Sequence, residues 1–213
     1  MSLTTATWAI RTAAPGDGAS VATLAALALN TDAPDPQKGL PAQIDARGGV
    51  MKVPHGKGTC RVAADAQGRV IGMTYTAPPL AWIEQHPVPV QATLARYFTK
   101  VELLAVHEAQ RERGVGGALL KVVEDAERER GAHLVFANVD LRERRILAWY
   151  KRRGYTIAAP GEPVIVTSSH GPLSLVDTGD GYVLALKALQ QGCRLSRAQL
   201  AQGSCIFVER VQQ

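Results

Sequence analysis

The 213-residue chain has only three cysteines, Cys60, Cys193 and Cys205. They are odd in number, widely scattered and never arranged as C-x-x-C, which argues against a disulfide framework and a zinc knuckle. Long apolar runs are also missing. No stretch approaches the roughly 18 uninterrupted apolar residues that a membrane-spanning helix requires, and the opening MSLTTATWAIR lacks the basic-then-apolar order of a secretory signal. A cytoplasmic protein with no membrane association is therefore expected, its thiols reduced and mostly packed. No internal repeat or low-complexity tract is present, and charge of neither sign dominates, with 24 Lys and Arg against 19 Asp and Glu, a formal net charge of +5. That excess suits an anionic partner without demanding one. Lysines and arginines crowd between Arg111 and Arg153, so an anion is expected beside that block.

What is present reads as one sizeable α/β domain, 46% hydrophobic and 20% charged. TWAIRTA alternates like a strand, and GDGASVATLAALALN then repeats apolar residues at helical spacing. The segment from Thr31 to Gly58 is dense in Pro and Gly and is expected to be mainly loop, with at most a short helix near Ala42 to Arg47. TCRVAADAQGRVIGMTYTAPP reads as a hairpin turning at Asp65-Ala66-Gln67-Gly68. A short helix is expected from about Pro89 to Tyr97. KVELLAV and HLVFANVDL read as buried strands, each followed by a helix, to about Arg130 and within RERRILAWYKRRG. YTIAAPGEPVIVTSS and GYVLALKAL read as strands around a polar loop. The order β-α-loop-β-β-loop-β-α-β-α-β-β is that of a mixed α/β domain. We place a domain over residues 1–190, with 191–213 as an extension adding a small helix and a final strand.

The stretch AQRERGVGGALLKVVEDAERERG puts Gly114, Gly116 and Gly117 where a helix is starting. A helix start leaves about four N–H groups without partners and carries partial positive charge, so an anion docks there if backbone can approach. Glycine removes the side chains that would block that approach. Two familiar phosphate loops fail. No Gly-Lys-Ser/Thr follows, and Leu119 stands where G-x-G-x-x-G needs its third glycine.

What remains is Arg111-x-x-Gly114-x-Gly116 between a strand ending at Val106 and a helix. This resembles the R/Q-x-x-G-x-G/A motif of the GNAT (GCN5-related N-acetyltransferase) superfamily, whose members carry an acyl group from acyl-coenzyme A to an amine. ILAWYKRRGY is similar to the family's later helix, and the element order fits from Trp8 to Leu189. The resemblance implies a central, mixed, mostly antiparallel twisted sheet flanked by helices and splayed between strands four and five. It also implies that backbone amides of Arg111, Glu112, Arg113, Gly114, Val115, Gly116 and Gly117 hold the coenzyme pyrophosphate, and that the backbone of Leu104, Ala105 and Val106 pairs with the pantetheine arm. Tyr150 matches the tyrosine that protonates the departing thiolate. Glu143 stands where that helix often has Asn, a departure from the pattern.

An amine at neutral pH must lose a proton before attacking a thioester, so a base is wanted. Glu102 is our choice, because a charge inside KVELLAV is unusual and period-two geometry puts it on a face with Leu104 and Val106. Glu84, His86, His107, Glu108 and Asp140 rank below it. The expected activity is acetyl transfer from acetyl-CoA, a co-substrate, to a small-molecule or peptide amine by direct attack in a ternary complex, with the Val106 N–H polarising the carbonyl and no metal required. The alternatives are a different acyl donor or acceptor, such as succinyl-CoA or a protein N-terminus, a non-catalytic acyl-CoA-binding sensor or scaffold, and a nucleic-acid binder. Against the last, RERR and KRR lack interleaved aromatics. The resemblance places the acceptor site in roughly 33–57 and 161–181, where Glu162, Asp177 and Asp180 could attract a cationic amine but read more readily as solvated loop carboxylates. The apolar CIFV of the tail could cover a sheet edge or reach a neighbouring subunit in a homodimer.

Overall fold

The computed structural model describes residues 8–32, 34–168, 171–175, 181–201 and 203–210. Asp177 and Asp180 lie outside the described residues. The protein is mixed α/β, with mostly antiparallel strands flanked by helices, and it divides into two compact units, Met1–Ala77 with Glu102–Asp125 and Pro78–Val101 with Ala126–Gln213.

The first unit is organised by β3 (Gly56–Asp65). One edge of β3 takes β1 (Trp8–Thr12) along Arg61–Asp65 and β2 (Val50–Val53) along Gly56–Thr59. The other edge takes β4 (Val70–Ala77), and the last residues of β5 (Phe98–Val106) lie beside β4. The alternation of side chains builds two apolar clusters. In one, Val21 and Leu24 of α1 (Gly18–Leu29) and Ile44 of α2 (Gly39–Arg47) pack with Cys60, Val62, Met73 and Ala105. In the other, Val115 and Leu119 of α5 (Val115–Glu129) pack with Ala63 and Ile71, flanked by Leu104 and Val106. A register shift opposite Ala63 and Ala64 lets Ile71 join this second cluster. The helix α1 starts on a carboxylate of the chain itself: Asp45 Oδ1 accepts the Gly16 and Gly18 N–H groups at 2.9 Å each. A Cβ on Gly18 would lie 2.3 Å from the other Asp45 oxygen, so that contact requires glycine.

The second unit contains α3 (Leu80–Ile83), α4 (Val88–Tyr97), β6 (Leu134–Asp140), α6 (Arg144–Lys151), β7 (Thr156–Ile157) and β10 (Tyr182–Ala188). The start of β5 pairs parallel with β6 over Phe98–Lys100, and β10 runs antiparallel to β6 and β7. A four-stranded sheet of β8 (Val164–Ser168), β9 (Gly171–Leu175), β11 (Cys193–Leu200) and β12 (Gly203–Arg210) has the order β11-β12-β8-β9. Its Val164, Leu173 and Ile206 share one core with Trp82, Leu94, Phe98, Phe136 and Leu184.

Three expectations need correction. The segment from Thr31 to Gly58 is not mainly loop: α2 begins at Gly39, three residues earlier than expected, and β2 and the start of β3 follow it. Pro41 falls in the first turn of α2, where a missing N–H is harmless. The described residues of the tail form two strands and no helix, because β11 has a full antiparallel partner in β12, and β12 pairs parallel with β8. Glu162 is not a solvated loop carboxylate. It is 4% exposed and holds Arg197 of β11 through two bonds of 2.7 and 2.9 Å, while accepting the Ala159 N–H.

Candidate functional site

The loop singled out in sequence leaves β5 at Val106 and enters α5 at Val115. The His107 N–H donates to Ile71 O at 2.9 Å, tying the strand end to β4, and Glu108–Gln110 form one tight 3-10 turn. Arg111 is extended, Glu112 sits at φ +64° and Gly114 at φ +84°. A left-handed residue followed closely by a helix turns successive N–H groups toward one side, the arrangement that receives anions. A Cβ at Gly114 would meet nothing within 4 Å, so glycine is there for its backbone angle and not for close packing. The first bond of α5 runs from Ala118 N–H to Gly114 O. The N–H groups of Val115, Gly116 and Gly117 consequently point out of the helix start. Val115 is buried and anchors the turn, while Arg111, Glu112, Arg113 and Gly114 are exposed. The Arg111 guanidinium reaches back to Val106 O at 3.4 Å. Such a donor set suits a diphosphate, which needs several N–H groups and tolerates flexible cations around them.

The last residues of β5 split between two environments. Ala105 faces the α1 cluster, while Leu104 and Val106 face α5. Glu102 is exposed. It acts electrostatically on Tyr75, whose phenol is pushed above its ordinary value first by burial and then by the Glu102 charge and Cys60. Sequence reasoning missed Tyr75. Its hydroxyl lies so close to Gly58 that a Cβ there would come within 2.4 Å, and only the alternation of β4 hinted that it faces inward.

Tyr150 belongs to the second unit. It is 4% exposed on α6, edge-on to Trp149 and to Tyr155 with ring centroids 4.9 Å apart in each case. Arg153 stacks over Trp149 at 3.8 Å. Among the lower-ranked bases, Asp140 is a weak proton acceptor: hydrogen bonds from the Arg142 side chain and N–H hold it down at about 2. Glu84, His107 and Glu108 are exposed, and His86 packs edge-on against Trp82 at 4.8 Å. Among the described residues no group of three or more His, Cys, Asp or Glu could hold a metal ion, and no helix is long and apolar enough to cross a membrane.

No curated protein matches the chain. Solved structures do. The Salmonella typhimurium protein yncA, solved with acetyl-CoA, is 20% identical over 87% of this chain and 95% of its own, with a TM-score of 0.58. A Sinorhizobium meliloti phosphinothricin acetyltransferase in complex with acetyl-CoA is 18% identical over 87% and 90%, also at 0.58. Ard1 from Thermoplasma volcanium is 19% identical over 87% and 99%, at 0.56. At these identities the likeness is one of fold. The Acetyltransferase (GNAT) family itself matches residues 23–155, a span running from α1 through the glycine loop to Tyr155. With well over half of its length inside that match, the chain belongs to the GNAT acetyltransferase family.

Proposed function

We propose that the protein is an acyl-CoA-dependent N-acyltransferase that transfers acetyl from acetyl-CoA to a primary amine by direct attack in a ternary complex. Residues 1–190 form the acyltransferase domain, and 191–213 an extension packed on it. The observation that carries this reading is the unit β5, Arg111-x-x-Gly114-x-Gly116, α5, with left-handed backbone at Glu112 and Gly114 and N–H groups directed out of the helix start.

In this reading the amides from Arg111 to Gly117 hold the coenzyme diphosphate, and the Leu104, Ala105 and Val106 backbone aligns the pantetheine arm. When bound, acetyl-CoA supplies an activated acyl group on a good leaving thiolate. The Val106 N–H donates to the thioester carbonyl, where negative charge develops as the amine attacks. Glu102 takes the amine's proton, directly or through water, and Tyr150 delivers one to the thiolate from a phenol whose unperturbed pKa is about 10. Calorimetry with CoA and acetyl-CoA tests the loop, and thiol release across an amine library tests the transfer. Absence of CoA binding defeats the whole reading, whereas binding without thiol release from any amine defeats the enzymatic part.

A further inference from the structure

Glu112 sits in the loop between β5 and α5 at φ +64°. The other left-handed position of that loop, Gly114 at φ +84°, is filled by the residue that adopts such angles freely. A glutamate there brings its Cβ against its own backbone. Surrounding contacts normally over-determine a residue held this way, and here they are missing. Glu112 is exposed, and among the described residues its carboxylate accepts no hydrogen bond and joins no ion pair. Arg111, its neighbour in the chain, is turned back on the strand end, with Nε 3.4 Å from Val106 O and Nη1 4.0 Å from Glu108 Oε1. Arg113, on the other side, is exposed and makes no ion pair among the described residues either.

Charge is the second mismatch. The N–H groups of Val115, Gly116 and Gly117 point out of the helix start, and a left-handed residue just before it turns further N–H groups to the same side, so an anion held there lies beside Glu112. The Glu112 N–H itself has no backbone partner among the described residues. One residue therefore offers a donor and, at the end of its side chain, a charge of the ligand's own sign. Glycine would make the same turn with less strain; what glutamate adds is its charge. In the empty loop that charge lies near the positive end of α5 and is favourable. In the filled loop it repels the ligand. Two unit charges about 7 Å apart at a protein surface, screened by physiological salt, change a dissociation constant by roughly twofold. A diphosphate with two charges is then held about fourfold less tightly than it would be beside a neutral residue.

Resting on the proposed binding of the coenzyme diphosphate at this loop, we infer that Glu112 regulates that site: its carboxylate favours the empty loop, opposes the filled one, and so hastens the departure of CoA once the acyl group has been transferred. Free CoA carries the same diphosphate as acetyl-CoA, so the loop grips product as firmly as substrate. Release of product limits many enzymes. A built-in repulsion at the shared group shortens the time for which spent coenzyme blocks the site.

The wild type, Glu112→Gln and Glu112→Lys form a series in which the first variant removes the charge at nearly constant shape and the second reverses it. Calorimetry with CoA should give a dissociation constant about fourfold lower in Glu112→Gln and roughly tenfold or more lower in Glu112→Lys. Surface plasmon resonance on the immobilised proteins should place a large part of each change in the dissociation rate. Both ratios should shrink towards one in about 1 M NaCl, where screening acts within about 3 Å. A merely structural role would produce neither the charge order nor the salt dependence. Dephospho-CoA, which keeps the diphosphate and lacks the ribose phosphate, should show the same ratios. Equal affinities across the series, a change confined to the association rate, or ratios lost with dephospho-CoA overturn the inference. So does a Tm of the free variants lower by more than about 4 °C, which would make Glu112 structural. Inorganic pyrophosphate separates this inference from the reading beneath it. If no protein of the series binds CoA but pyrophosphate binds most tightly to Glu112→Lys and least tightly to the wild type, the acyltransferase reading falls and the opposition of Glu112 to an anion stands; if neither ligand binds any of them, both fall.

Discussion

Gly72 seats the glycine loop, and adding one methyl group there tests how. A Cβ at this position would lie 3.1 Å from Val115 Cγ1 and 3.2 Å from both Leu119 Cδ1 and the Ala105 carbonyl oxygen. The carbonyl belongs to a strand and cannot retreat, so in Gly72→Ala the first turn of α5 must yield by a few tenths of an ångström. Overpacking of this kind costs about 1–3 kcal/mol. Replacing a strand glycine returns about 0.5–1 kcal/mol through the unfolded chain. The net loss, about 1–2 kcal/mol, corresponds to a Tm lower by roughly 2–8 °C for a chain of this size. The same displacement carries the Val115, Gly116 and Gly117 N–H groups away from their set positions. If the diphosphate bonds there lengthen without breaking, about 1 kcal/mol of binding is lost, and calorimetry should show acetyl-CoA bound roughly fivefold more weakly. A Tm that falls while CoA affinity stays at the wild-type level would refute the link between the seating of α5 and the loop, and an unchanged Tm would refute the packing argument itself.

Tyr150→Phe keeps the ring contacts with Trp149 and Tyr155 and removes only the hydroxyl; stopped-time thiol release should show kcat lower by about 100-fold with KM for acetyl-CoA unchanged. Arg197→Met strips the guanidinium from buried Glu162. Because Arg197 is itself half exposed, the loss at pH 7 should be about 2–3 kcal/mol, below the range for a fully buried pair. Burial works against the Glu162 charge, but the bonds from Arg197, the Ala159 N–H and Ser204 outweigh it and set the folded pKa below normal. The pair therefore stabilises above the unfolded carboxylate value of about 4.3 and fades as pH falls through the lower folded value, so urea titrations of wild type and variant should converge in acid. Cys60 is wholly buried and its thiol is pushed up to about 12, chiefly by burial and then by the Asp17 charge, so a disulfide reagent at pH 8 should label it only as fast as the protein opens.

Elements with a strong period were legible in the sequence. The strand and helix of Trp8 to Leu29, the hairpin at Asp65–Gly68 and the alternation from Phe98 to Lys151 all follow from local spacing and turn residues. What local spacing could not supply was partnership. RLSRAQL carries no strand signature by itself and becomes β11 because Gly203–Arg210 runs back along its whole length. The strand β9 opens on Gly-Pro, a pair that reads as a turn, yet it zips against β8 over five residues. At the site, the glycines announced the loop and Glu102 stood out in an apolar run. Glu162 and Arg197 are 35 residues apart and Asp45 and Gly18 are 27 apart, so neither pair left a local trace. Tyr75 was likewise invisible until the register of β3 and β4 was known.

The parallel pairing of β12 with β8 bears on how the chain is made. A ribosome releases residues in order, and everything the first unit contains has emerged by Asp125. The second unit is different: Trp82, Leu94 and Phe98 are synthesised early, but the core they enter also contains Ile206. Those side chains stay without their full apolar enclosure until the polymerisation of more than a hundred further residues is done, an interval in which nascent-chain chaperones have a defined target.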